Sequence, residues 1–195
     1  MENNRTIRQM RSAPIEFKTR EIDGEKRIEG YFSVFGAFYE LWDGNRETVQ
    51  QGAFAETLDG DIRALINHNT DLVLGRTTAG TLELREDENG LWGSILINEQ
   101  DTDALNLYAR VQRGDVSQCS FGFDILEESY KVDDYGNVTW IIEKVRLYEV
   151  SVVTFPAYPD TNVQARKADF EVIQQRKREQ LEAWKETAKK KLKGE

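Results

Sequence analysis

The sequence predicts a mainly β protein of the α+β class, built on a barrel or sandwich with helices added to it. Three observations predict it. β-prone runs recur between turn signals at Asp23-Gly24, at Glu88-Asn89-Gly90 and across residues 133–137, DDYGN. One stretch inside the body, 98–116, carries a helical pattern with cap signals. From about residue 168 the apolar period becomes helical.

The elements follow in order. Residues 15–35, IEFKTREIDGEKRIEGYFSVF, read as a hairpin closed by a two-residue Asp23-Gly24 turn. Residues 51–58, QGAFAETL, suit a short helix, and 62–68, IRALINH, a mostly buried strand. Residues 81–86 and 91–97 make a second hairpin. A helix follows, capped by Asp101 or Thr102, with Leu105, Tyr108, Ala109 and Gln112 on one face and Gly114 ending it. Residues 116–126, VSQCSFGFDIL, are a strand, and 138–155 a long β-prone run ending at Pro156. Only 98–116 is a connection long enough for a parallel βαβ unit. In the C-terminal helix Leu181, Trp184, Ala188 and Leu192 fall on a narrow apolar stripe.

Charge divides the 195 residues further. The net charge is −9, yet residues 166–195 hold 10 Lys/Arg and 6 Asp/Glu, and residues 1–13 hold three Arg and one Glu. The span 14–165 therefore carries 13 basic and 28 acidic residues, a net −15. Such a body repels nucleic acid, whose binding depends on neutralising phosphates. Three segments are expected: a flexible N-terminal arm over 1–13, a folded domain over 14–167 and a basic helical tail over 168–195. Ala165-Arg166-Lys167-Ala168 would be an exposed junction after Pro156 and Pro159. The tail's stripe is too narrow for a large core, so it is expected to dock on an acidic partner or a second copy.

Other classes fall away. No run approaches the roughly 18 apolar residues of a membrane helix, and MENNRTIRQMRSA has no apolar h-region of a secretory signal. A single cysteine, Cys119, excludes an internal disulfide and fits a reducing compartment. One histidine and one cysteine do not supply the usual zinc sites, and no cofactor is expected.

Chemistry then concentrates in three places. His68, the only histidine, stands in Asn67-His68-Asn69 where a strand leaves the core; neutral imidazole is the standard base near pH 7. Along 116–126 the odd positions Ser117, Cys119, Phe121, Phe123 and Ile125 form a mostly apolar set. Alternation sends Cys119 to the core and Ser120 to the opposite face, beside Gly122, which has no side chain to block an approaching backbone. Ser120 thus ranks above Cys119 and Ser117 as a nucleophile. Glu149 sits in the apolar run LYEVSVVTFPAY, where a carboxylate is costly unless paired. It reads either as a partner of Arg146 or as the carboxylate that orients an imidazole. Asp71 and Asp124 are its rivals.

The order NHN…LGRT…DENGLWGSI…RGDVSQCSFGF…LYEVSVVTFPAYPDT resembles the prohead (head maturation) proteases of tailed bacteriophages. GYFSVFG at 30–36 and QGAFAETL at 51–58 are similar to that family's N-terminal signatures. The similarity runs over roughly 14–166. It implies an assemblin-like β-barrel with surrounding helices, as in the herpesvirus relatives. It also implies a serine endopeptidase that cuts the scaffolding part of the capsid protein, and itself, during procapsid maturation. The alternative is a non-catalytic capsid-assembly protein with the same barrel. By the resemblance His68 is the base, Ser120 the nucleophile and Glu149 the third member, where the herpesvirus relatives use a second histidine. Gly75 and Arg76 of LGRT match a further family motif. The implied partners are the major capsid protein with its scaffolding segment and other copies of this chain, with no nucleic acid and no membrane. The implied place is the procapsid interior in the bacterial host cytoplasm.

Overall fold

The computed structural model describes residues 9–13, 17–155 and 160–193. They form a curled half-barrel sheet, a second smaller sheet and two helices. The small sheet has the order β2 (Lys18–Ile22), β3 (Glu25–Val34), β9 (Gly90–Leu96), β8 (Leu82–Glu86), all antiparallel. The expected Asp23-Gly24 turn joins β2 to β3, with φ of 52° and 84° at its two residues. Positive φ at both positions matches the right-handed twist of the flanking strands. The expected second hairpin is β8–β9.

The large sheet runs β1 (Gln9–Ala13), β10 (Gln118–Val132), β11 (Val138–Val153), β5 (Asn45–Val49), β4 (Phe38–Trp42). Its lower half continues from β11 to β6 (Arg63–Ile66) and β7 (Asn69–Arg76). Strand β11 is antiparallel to β10 but parallel to β5 over 139–142 and to β6 over 149–152. The parallel pairs thus lie elsewhere than 98–116. That connection joins β9 in one sheet to β10 in the other, so its helix bridges sheets rather than completing a βαβ unit.

The core joins the two sheets. Ile28, Phe32, Leu91 and Ile95 of the small sheet cluster with Cys119, Phe121, Phe123, Val150 and Val152 of the large one, all 0% exposed. Burial of each large apolar side chain contributes roughly 1.5–3 kcal/mol. Cys119 sits on the core face as expected, its Sγ 3.2 Å from the Tyr31 carbonyl oxygen. The other face of β10 is closed as well: Ser120 is 0% exposed, not accessible as alternation suggested. Alternation fixes which face a side chain takes, not whether that face meets solvent.

Other expectations shift locally. Residues 51–59 form successive turns, not a helix, with Ala53, Ala55 and Thr57 N–H groups each bonding a carbonyl three residues back. Glu86 takes the Gly52 and Phe54 N–H groups, at 2.5 and 3.0 Å, and pins this loop to β8. The body helix α1 (Thr102–Arg113) starts at Asp101, whose carboxylate accepts from the Asp103 and Ala104 N–H groups, and ends at Gly114 with φ 88°. It buries Ala104, Leu107, Tyr108 and Val111. Leu105 is half-buried and Ala109 and Gln112 are exposed, so the buried face is turned away from the expected one.

The termini differ most. Residues 9–13 of the expected flexible arm form strand β1, while the rest of that arm, 1–8, lies outside the described residues. Helix α2 (Asp160–Lys193) begins eight positions before the expected change at 168. Arg166, in the expected exposed junction, is 0% exposed. It bonds Glu47, also 0% exposed, and Glu128 at 2.7 Å. Arg11 of β1 bonds the same Glu47 carboxylate. Burial would raise the Glu47 pKa, but the two guanidiniums outweigh it and hold it at about 2. Beyond Arg166, Phe170 and Ile173 pack with Trp42, Val138 and Trp140. Only further on does the stripe stand in solvent, with Leu181, Trp184 and Leu192 50%, 67% and 88% exposed. Pro156 and Pro159 lie outside the described residues.

Candidate active site

The site is built where β6, β10 and β11 run side by side. Strands β6 and β7 are joined by a two-residue turn, Asn67-His68, with φ of 50° and 60°. This left-handed pair is what Asn-Gly supplies at least cost. A histidine as its second residue is a strained choice, since φ > 0 disfavours any side chain with a Cβ. The turn is tied at three points to β11 and the residue that follows it. Asn67 N–H donates to the Val152 carbonyl at 3.0 Å, Asn67 Oδ1 accepts from Thr154 N–H at 2.8 Å, and His68 N–H donates to Ser151 Oγ at 3.3 Å.

That docking aims the imidazole. His68 Nδ1 lies 2.7 Å from Glu149 Oε1, with side chains 15% and 4% exposed respectively. A carboxylate accepts, so the contact places a hydrogen on Nδ1, and in the neutral ring the lone pair is then on Nε2. Glu149 Oε2 accepts from Ser151 Oγ at 2.6 Å. The carboxylate thus holds an imidazole on one oxygen and a hydroxyl on the other. Arg146, the alternative partner considered for Glu149, is exposed.

Ser120 lies on the neighbouring strand. In the β10–β11 register Ser120 is opposite Ser151 and Gly122 is opposite Glu149. Residues directly opposite across a ladder share a face, so Ser120, Ser151 and Glu149 face the same way and Gly122 leaves the position opposite the carboxylate without a side chain. Ser120 Oγ and His68 Nε2 are both buried, and neither has a hydrogen-bond partner among the described residues. They therefore do not bond one another here. Buried polar atoms without partners are uncommon, and two of the six among the described residues are these, on the turn and the strand that flank Glu149.

The other candidates separate from this cluster. Ser117 is exposed and precedes β10. Asp71 is exposed on β7, and Asp124 accepts from the Tyr148 hydroxyl at 2.6 Å. Gly75 and Arg76 support the scaffold. A Cβ on Gly75 would meet the Thr81 carbonyl oxygen at 2.7 Å. Arg76 binds Asp61 through two bonds of 2.6 and 2.7 Å, tying β7 to the loop before β6. The Arg76 guanidinium, foremost among nearby groups, holds the Asp61 carboxyl below the usual carboxylate range. Ser151 escaped sequence reasoning. Its two-residue spacing from Glu149 is the available signal, since that places both on one face of a strand.

No curated protein sequence matches the chain. Among solved structures it is similar to the capsid assembly protease of bacteriophage T4, at 13% sequence identity over 76% of this chain and 98% of that one, with a TM-score of 0.49. The model of the caudovirus prohead serine protease family matches residues 14–176, most of the chain, and the protein belongs to that family.

Proposed function

We propose that the protein is a serine endopeptidase that cleaves the scaffolding part of the phage capsid protein, and itself, during procapsid maturation inside the bacterial host. Ser120 is the nucleophile, His68 the general base and Glu149 the carboxylate that orients His68. The observation that carries this reading is the 2.7 Å His68–Glu149 contact, with a partnerless buried Nε2 and a partnerless buried Ser120 Oγ on the adjoining strand.

The chemistry is acyl transfer. His68 Nε2 takes the Ser120 proton as Oγ attacks a scissile carbonyl, and returns it to the leaving amine. Water then attacks the acyl-enzyme with the same imidazole as base. Glu149 stays ionised throughout and stabilises the imidazolium. Ser151 holds Glu149 and the His68 backbone in register.

The alternative is a capsid-assembly protein that keeps the fold without catalysis. A histidine in a left-handed turn position, in contact with a buried glutamate, favours the enzyme. Co-expression with the cognate capsid protein, followed by intact-mass measurement, tests it. The expected result is a shortened capsid protein with the wild type and full-length capsid protein with Ser120→Ala, a loss on the order of a million-fold in turnover. Full-length capsid protein with both would leave the assembly role standing.

A further inference from the structure

Ser120 is closed off as the molecule stands. Its side chain is 0% exposed, so a peptide bond reaches Oγ only after something moves. Strand β10 has one neighbour on each side of Ser120. On one side β11 carries Glu149 and Ser151 and continues into β5 and β6, so it cannot leave without dismantling the site. On the other side is β1, five residues at the end of the sheet, paired with β10 alone. Ser12 of β1 lies directly opposite Ser120, and Met10 opposite Gly122.

The composition of β1 is unlike that of a committed strand. Gln9-Met10-Arg11-Ser12-Ala13 contains no β-branched or aromatic residue. Among the described residues it is held by its antiparallel ladder with β10, by packing on β3 and by the Arg11 side chain. Arg11 is 4% exposed, bonds Glu47 and lies 5.7 Å over the Phe123 ring. A main-chain ladder plus a side chain in a pocket is how a sheet edge takes up an extended peptide. Departure of β1 also leaves no bare buried charge, because Arg166 still bonds Glu47.

We propose that β1 is a displaceable occupant of a peptide track along β10: the chain is latent while residues 9–13 lie beside Ser120, and the same edge takes an extended substrate segment whose basic side chain sits where Arg11 sits. This rests on the reading of Ser120 as nucleophile. Local opening of β1 then sets the competent fraction, and loosening β1 raises the apparent rate in proportion.

The test uses the full chain first. Hydrogen exchange is expected to show amides of residues 10–13 exchanging about a hundredfold or more faster than those of 119–123 and 149–152. Labelling of Ser120 by a fluorophosphonate, located by mass spectrometry, is then compared for wild type, Arg11→Ala and a form lacking residues 1–13. Both variants are expected to label at least about tenfold faster. A synthetic peptide of residues 6–16 should slow labelling of the truncated form, and the same peptide with Arg11→Ala should not. Equal protection of 10–13 and 119–123, folded variants that label no faster, or a truncated form that fails to fold would each overturn the proposal. Absence of label at Ser120 in every form would instead remove the nucleophile assignment, while the exchange data would still decide whether β1 opens.

Discussion

Two clusters built on a buried carboxylate lie in the same half-barrel, and they are completed to different degrees. Around Glu47 both carboxylate oxygens are engaged by Arg11 and Arg166, and Arg166 also reaches Glu128. Around Glu149 the carboxylate is equally engaged, by His68 and Ser151, but His68 Nε2 and Ser120 Oγ on the adjoining strand have no partner among the described residues. The first cluster ties the strand β1, the barrel strand β5 and the helix α2 together through Glu47. The second leaves two buried polar atoms without a partner among the described residues, the two that the proposed mechanism uses. The paired network puts its polar groups into stability, whereas the open one leaves two of them unpaired, and that difference is what the proposed function rests on.

Breaking the open cluster should affect turnover and spare the fold. Glu149→Gln is expected to lower turnover by about ten-thousand-fold, with residual activity, because the amide no longer fixes the Nδ1–H tautomer. Peptide hydrolysis and a thermal melt on the same sample check it. Wild-type turnover in Glu149→Gln, with a crippled Asp71→Asn or Asp124→Asn, would move the third member elsewhere.

Breaking the paired cluster should do the reverse. Glu47→Ala leaves two guanidiniums without their shared buried carboxylate and is expected to cost ~3–5 kcal/mol of stability. The pH dependence has a definite sign. The folded pKa of Glu47 is held at about 2, below the ordinary glutamate value of 4.5. Its contribution is therefore present above about pH 4.5 and is lost as pH falls toward 2. Acid titration of Glu47→Gln should show a shallower loss of stability across that window than the wild type, measured by urea unfolding at each pH.

Ser151→Ala sharpens the comparison within the open cluster. It removes a hydrogen bond to a carboxylate and an acceptor for the His68 N–H, a loss of about 1.5–3 kcal/mol, or roughly 10–100-fold in turnover. Ser151→Thr keeps the hydroxyl and should recover much of that. The smallest effect is expected outside both clusters. Truncation after Lys177 keeps Arg166, Phe170 and Ile173 and removes the exposed Leu181, Trp184 and Leu192. Stability should change by no more than about 0.5 kcal/mol, and we propose that the removed segment serves docking to an acidic partner or to a second copy of this chain. An unfolded truncation would make it part of the fold.

Much of this was legible in the sequence where the signal is local. Turn chemistry placed the β2–β3 and β8–β9 hairpins, and cap residues placed α1. Period-two alternation put Cys119 on the core face. The apolar run around Glu149 drew attention to a carboxylate that the structure brings onto His68. What alternation could not give was cross-strand register. Ser151 gains its place only because β10 and β6 flank β11, a pairing of segments far apart in the chain. Residues 9–13 and the start of α2 depart from their expected course for the same reason. Residues 9–13 and the helix from Asp160 are polar and lack a strong local pattern, and they are held by a carboxylate on β5 that no short window contains.

The most direct measurement of the central claim is fluorophosphonate labelling of the full chain, with the modified residue located by mass spectrometry. The predicted result is a single adduct on Ser120 that is lost on denaturation before labelling and is strongly reduced in His68→Ala. Labelling of another residue, or labelling of Ser120 at the same rate in His68→Ala, would contradict it.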